Sequence, residues 1–293
     1  MYVAIRDFTV RWLGYKELFG GLKDLKINDF ELYVSKDLKQ TAYQDMDYTV
    51  DLGFDLSSKD KRIKTLAELK AKHLDICAIL IENDFGKNDL ESEIKWAVDA
   101  CYAASELGVR AVRINSVMRP QAEVSEKEYT ERTVKSIKRI LDSTEGLNVC
   151  LALENHGVIG NKREFIRNIM DEVASKRLGL TLDTGNFYWF GYPLHEVYKI
   201  IQEFASYVKH VHLKNVTFSL PERNKKREPG YHWPDSAATI YGGDLDHQYI
   251  INTLKSSGYD GDLTIEDESL NKFSEEKRLE IIKKDIDFIK SLL

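Results

Sequence analysis

Val149-Cys150-Leu151-Ala152-Leu153-Glu154 is a run of β-forming, mostly apolar residues that ends on a carboxylate, and three later stretches repeat the pattern. Leu178-Gly179-Leu180-Thr181-Leu182 ends on Asp183, residues 208–211 enclose His210 and lead to His212, and Leu263-Thr264-Ile265 ends on Glu266. Short apolar runs closed by polar residues read as buried strands. Three carboxylates and an imidazole at the ends of successive strands can meet only if those strands are neighbours. A parallel α/β barrel makes them neighbours and places functional side chains at its C-terminal rim.

The same rhythm extends along the chain. Strands are expected over residues 3–6, 29–34, 76–81, 111–115, 149–154, 178–183, 208–213 and 262–266, with amphipathic stretches between them. Asn88 with Glu91 and Ser125 with Glu128 have capping-box spacing, and Gly108 closes the helix that turns Ile94, Val98, Cys101 and Ala104 inward. A last helix over about 275–292 sets most of Ile281, Ile282, Ile286, Phe288 and Ile289 on one face. Eight strands alternating with helices predict an α/β fold, a single (β/α)8 barrel forming one domain over residues 1–293. The connections 35–57, after the second strand, and 215–243, after the seventh, are longer than the scaffold needs. On the C-terminal rim, loops of that length build or close a pocket.

At 293 residues and 43% hydrophobic content the length also suits two average domains, but the alternating pattern favours one barrel. A net charge of −6 without an extended basic stretch argues against nucleic acid as a partner. Arg6, Asp7 and Arg11 interrupt the first apolar segment, and no apolar stretch is long enough to span a bilayer, so a soluble, cytoplasmic protein without membrane contact is expected. Cys77, Cys101 and Cys150 show no paired spacing and read as reduced core thiols.

Carboxylate oxygens with one imidazole suit a single divalent ion such as Mn²⁺, Co²⁺, Mg²⁺ or Zn²⁺, whereas a site for thiophilic metals would show cysteines. Such an ion could accept adjacent hydroxyl and carbonyl oxygens of a substrate and act as a Lewis acid on the carbonyl. Removing a proton from the next carbon then gives an enediolate, and a glutamate can serve as the base. Taken alone, Asp183 before Thr-Gly-Asn reads as a helix cap; four such residues on successive strand ends read as a metal site. The two histidines of the seventh strand are expected on opposite faces, so that one at most reaches the rim. His156 is a candidate acid, base or substrate contact. Arg223, Lys225, Lys226 and Arg227 read either as a phosphate grip or as a solvated run, and Tyr231, His232 and Trp233 either as a sugar-stacking lid or as loop packing. Arg113 and Asn115 end the fourth strand, and Asp246 reads as a helix cap.

The segments LALENHG (151–157), LTLDTGN (180–186), VKHVHLKN (208–215) and GYDGDLTIEDE (258–268) resemble the xylose isomerase-like barrels, a superfamily of sugar isomerases and epimerases that includes apurinic endonucleases. The resemblance implies Glu154, Asp183, His212 and Glu266 as ligands of one divalent metal, with Glu154 and Glu266 as the acid/base pair and His212 preferred to His210. Two positions differ from the ketose 3-epimerases: Asn186 stands where they carry His, and Phe218 where they carry Arg. Lys214 in HLKN resembles dehydratases that act on keto-inositols and dehydroshikimate. The endonucleases use three zinc ions and further histidines, where this chain has Glu82, Asn115 and Asn186. The expectation is therefore a metal-dependent isomerase or epimerase of a carbohydrate or keto-polyol, phosphorylated or not, with His156, Asn186, Lys214, His232 and Trp233 around the substrate. A dehydratase is the alternative, and an endonuclease or a non-catalytic sugar-binding barrel follows behind. A homo-oligomer is left open.

Overall fold

The computed structural model describes residues 1–40 and 53–293. Eight parallel strands close a barrel: β1 (Tyr2–Arg6), β2 (Asp29–Tyr33), β3 (Asp75–Leu80), β4 (Ala111–Ile114), β5 (Cys150–Glu154), β6 (Leu178–Asp183), β7 (Val208–Leu213) and β10 (Asp262–Ile265), the last pairing with both β7 and β1. Between them, β8 (Asn215–Val216) and β9 (Ala237–Ala238) form a small antiparallel pair. Each barrel strand lies within one residue of its expected bounds. Strands covered by helices on one side and filled by side chains on the other are buried on both faces, which is why their sequences are nearly continuous apolar runs.

The helix stops and starts follow the expected chemistry with one shift. Ser125 caps Glu126–Ser143 by accepting from Glu128 N at 3.2 Å, and Gly108 closes Leu90–Leu107 at φ 77°. The cap of that second helix is Asp89, not Asn88: its carboxylate accepts from Ser92 N at 3.2 Å, while Glu91 turns outward to Arg139. Asp246 caps His247–Ser256 through Tyr249 N at 3.0 Å. In the last helix, Glu275–Ser291, Ile281, Ile282, Ile286 and Ile289 are buried.

Strand pairing carries one face round the interior. Ala4 is level with Thr264, Thr264 with His212, and His212 with Asp183; Thr181 is level with both His210 and Glu154, and Arg6 with Glu31. His210 and His212 therefore do not face opposite sides. Residues two apart in a strand share a face, and both rings lie inside the barrel, 4.9 Å apart and fully buried.

The connection after β2 lies partly outside the described residues, since 41–52 are not described. The connection after β7 carries the β8–β9 pair and is tied by Asn215, whose Nδ2 donates to Ile240 O at 2.9 Å and Leu245 O at 3.3 Å, and whose Oδ1 accepts from Val216 N at 2.9 Å and Leu245 N at 3.0 Å. The three cysteines are free, and burial pushes the Cys101 thiol up to about 12. Among the described residues, no helix is long and apolar enough to cross a membrane.

Candidate metal centre at the barrel mouth

Asp183 ends β6, and the turn that follows fixes it. Its Oδ1 accepts the backbone N–H groups of Gly185 and Asn186, both at 2.8 Å, which leaves Oδ2 directed away from the turn. Asn155, the residue after Glu154, clamps the same backbone: Oδ1 accepts from Asp183 N at 2.8 Å and Nδ2 donates to Asp183 O at 3.0 Å. Gly185 is required by crowding, because a Cβ there would lie 2.9 Å from Lys214 Cγ.

Glu154, Asp183, His212 and Glu266 offer ligand atoms that all lie within 4.8 Å of one another. His212 Nδ1 stands 2.9 Å from Glu154 Oε1 and 3.0 Å from Glu266 Oε2. Ligand bonds of roughly 2.0–2.3 Å leave ligand atoms about 3–4 Å apart around one ion, so the spacing suits a single small dication. The donor set fits as well. Asp183 Oδ2 and Glu266 Oε2 are buried, and both face the Lys214 ammonium, at 2.8 and 3.8 Å, with His212 Nδ1 also on Glu266 Oε2. Burial lifts the Asp183 carboxyl to about 7, with Lys214 pulling it down and the Glu266 and Glu154 charges pushing it up. A dication would relieve that crowding of carboxylates.

Each glutamate is paired with an arginine. Arg113 on β4 contacts Glu154 Oε2, and Arg6 on β1 contacts Glu266 Oε1. Burial by itself would raise both glutamates, but Arg113 with His212 holds Glu154 below the usual carboxylate range, and Arg6, Lys214 and His212 do the same for Glu266. Both are therefore ionised at neutral pH.

Lys214 Nζ is also 3.2 Å from Asn186 Oδ1 and 3.2 Å from Glu268 Oε2, so the lysine is buried and fully paired rather than a solvated loop residue. Its pKa stays above the ordinary value, because Asp183, Glu266 and Glu268 outweigh the cost of burial. Asn186 donates to Asn155 O at 2.9 Å and thus joins the clamp. His156 sits half-buried with Nδ1 3.2 Å from Met118 Sδ, and burial lowers its pKa to about 4, so the ring is neutral.

The loop residues are arranged differently. His232 is exposed and Trp233 half-buried; the His232 ring lies tilted against Tyr231 at 4.0 Å, Tyr231 donates to Glu222 at 2.8 Å, and Tyr231 and Trp233 pack against the hydrophobic core. Of the four basic residues, Arg223 pairs with Asp244 at 2.8 Å, and Arg227 stacks on Tyr188 and Phe218 at 4.6 and 4.0 Å. Only Lys225 and Lys226 are exposed as a solvated run would be. Phe218 is part of that stack. Arg6, Glu31 and Glu268 complete the site and were not singled out from sequence as site residues.

Residues 22–292 match the model of a family described as xylose isomerase-like TIM barrel. The chain belongs to this family. A curated relative named a probable endonuclease 4, from Metamycoplasma arthritidis, is 24% identical over 183 residues, which is 59% of this chain and 66% of that protein. Among solved structures, the IOLI protein with a bound zinc atom superposes with a TM-score of 0.72 at 18% identity, covering 100% of this chain and 99% of the other. An L-ribulose 3-epimerase superposes at 0.67 and 17% identity, covering 100% and 95%. Identities this low speak for the shared barrel only.

Proposed function

We propose that this member of the xylose isomerase-like family is a divalent metal-dependent isomerase or epimerase of a sugar, sugar phosphate or keto-polyol. The observation that carries the reading is the placement of two ionised glutamates, Glu154 and Glu266, 2.9 and 3.0 Å from one imidazole nitrogen, with Asp183 in the same cluster. Glu154, Asp183, His212 and Glu266 would hold the ion, which when bound supplies Lewis-acid polarisation of a substrate carbonyl. Glu154 and Glu266 reach the centre from β5 and β10, with β6 and β7 between them in the barrel order. Two carboxylates arriving from separate strands can take a proton from a carbon beside the carbonyl on one side and return it on the other. Their arginines keep them ionised as bases. Lys214 offers a permanent positive charge to a substrate oxygen, and the neutral His156 can accept a hydrogen bond from a hydroxyl. The zinc in one structural neighbour and the epimerase name of another are in keeping with this chemistry.

A second reading, dehydration by the same base, rests on Lys214: a buried ammonium beside the centre could assist departure of a β-hydroxyl. One experiment separates the two. Ketoses, keto-inositols and sugar phosphates are incubated with the protein and Mn²⁺ in D₂O and followed by mass and NMR. Incorporation of one deuterium with all hydroxyls retained supports the isomerase or epimerase, and loss of water supports the dehydratase. No exchange across the panel, or full turnover by Glu154→Gln and Glu266→Gln, would sink the proposal.

A further inference from the structure

Beneath the candidate metal centre the barrel interior is crossed by a chain of buried polar side chains, where aliphatic layers are usual. Asp262 Oδ2 lies 2.7 Å from His210 Nδ1, His210 Nε2 lies 2.9 Å from Glu31 Oε1, and the same Glu31 oxygen lies 2.9 Å from His212 Nε2. All four residues are at most 3% exposed. The other Glu31 oxygen, Oε2, is 3.2 Å from Arg6 Nε, and Arg6 reaches on to Glu266.

A carboxylate oxygen can only accept, so both imidazole nitrogens that meet Glu31 Oε1 carry hydrogens. For His212 the consequence is specific. Nδ1 meets carboxylates too, Glu154 at 2.9 Å and Glu266 at 3.0 Å, so without an ion it also carries a hydrogen. A bound ion would take the place of that hydrogen on Nδ1, while the hydrogen on Nε2 stays with Glu31. His210 has a carboxylate at each nitrogen and is held between them, which keeps Glu31 from turning away. We propose that Glu31 is a positioning residue: it fixes His212 in the Nε2–H form so that Nδ1 is the nitrogen presented to the metal, with His210 and Asp262 locking Glu31 from below and Arg6 joining it to Glu266. The assignment rests on the metal reading given above. Glu31, His210 and His212 are also close enough together to hold an ion of their own, but the Arg6 guanidinium against Glu31 opposes a second dication there.

The test uses full-length protein labelled with ¹⁵N-histidine and titrated with ¹¹³Cd²⁺. One cadmium per chain, ¹¹³Cd coupling to Nδ1 of His212, and a protonated Nε2 in both the free and the loaded protein are expected. Glu31→Gln, which keeps the shape and removes the charge, should weaken cadmium binding by about 10- to 100-fold while the thermal melt stays cooperative. His210→Gln should act in the same direction and serves if the first variant does not fold. Coupling to Nε2, an unchanged affinity in Glu31→Gln, or a second cadmium lost in that variant overturns the assignment and leaves the metal reading standing. Absence of any bound cadmium overturns both.

Discussion

Arg113 and Arg6 keep Glu154 and Glu266 ionised, as the proposed acid/base role requires, and the arginines make that dependence measurable. Removing either carboxylate charge, in Glu154→Gln or Glu266→Gln, should lower kcat by about 10²- to 10⁴-fold in a steady-state assay on the true substrate. Arg113→Met acts less directly. Without the guanidinium, burial is left to raise the Glu154 pKa, so the base stays protonated to higher pH. The acidic limb of the kcat/KM profile should move upward by roughly one to three units, and an unmoved limb would show that Glu154 is not the titrating base. At this scale the sequence is legible where a ligand ends a strand and obscure where a charge lies inside one. Glu31 sits between Phe30 and Leu32, and Arg113 between Val112 and Ile114. A charge flanked by two residues that must face the helices can only face the interior, so period-two parity was the available signal for Glu31 and Arg113. The same parity puts His210 beside His212.

At the scale of elements, all eight strands and the caps at Ser125 and Asp246 were readable, because each depends on local pattern and cap chemistry. The loop after β7 was not, since the two-residue strands β8 and β9 are too short to display a period, and their pairing is fixed by Asn215 and the distant Gly243. A Cβ at Gly243 would meet Asn215 Cγ at 2.1 Å. The basic run in this loop looked solvated because charge was all the sequence offered, yet Arg227 donates to the backbone oxygens of Glu222, Lys225, Tyr188 and Tyr192 and stacks on two rings. It is the loop's internal post. Arg227→Ala should cost about 1–2 kcal/mol and speed limited proteolysis within residues 217–236. Arg227→Lys should not restore the loop, because a point charge cannot reproduce the planar, stacked fork. Equal cleavage rates in wild type and both variants would contradict this.

For the whole molecule, stability should follow both metal and pH. An ion that binds only the folded centre adds about 2.7 kcal/mol at a free concentration 100 times its Kd, so a chelator should lower the midpoint of unfolding, and Asp183→Asn should make the midpoint insensitive to it. The pH dependence has a separate source at His247, buried with its Nε2 3.4 Å from Asn215 Nδ2. Burial holds this ring to a pKa of about 4, against an ordinary value of 6.5. Between those two values the unfolded chain takes up a proton that the folded protein does not, so acidification favours unfolding. The stabilising difference is complete above about pH 6.5, and about 2 kcal/mol of it should be lost by pH 5. His247→Gln keeps an acceptor for Asn215 and removes the titration. Urea midpoints of wild type and variant should therefore converge, or cross, as pH falls from 7.5 to 5; parallel curves would show that the ring is protonated without penalty in the fold and that burial at the start of the His247–Ser256 helix does not set the acid limit of this barrel.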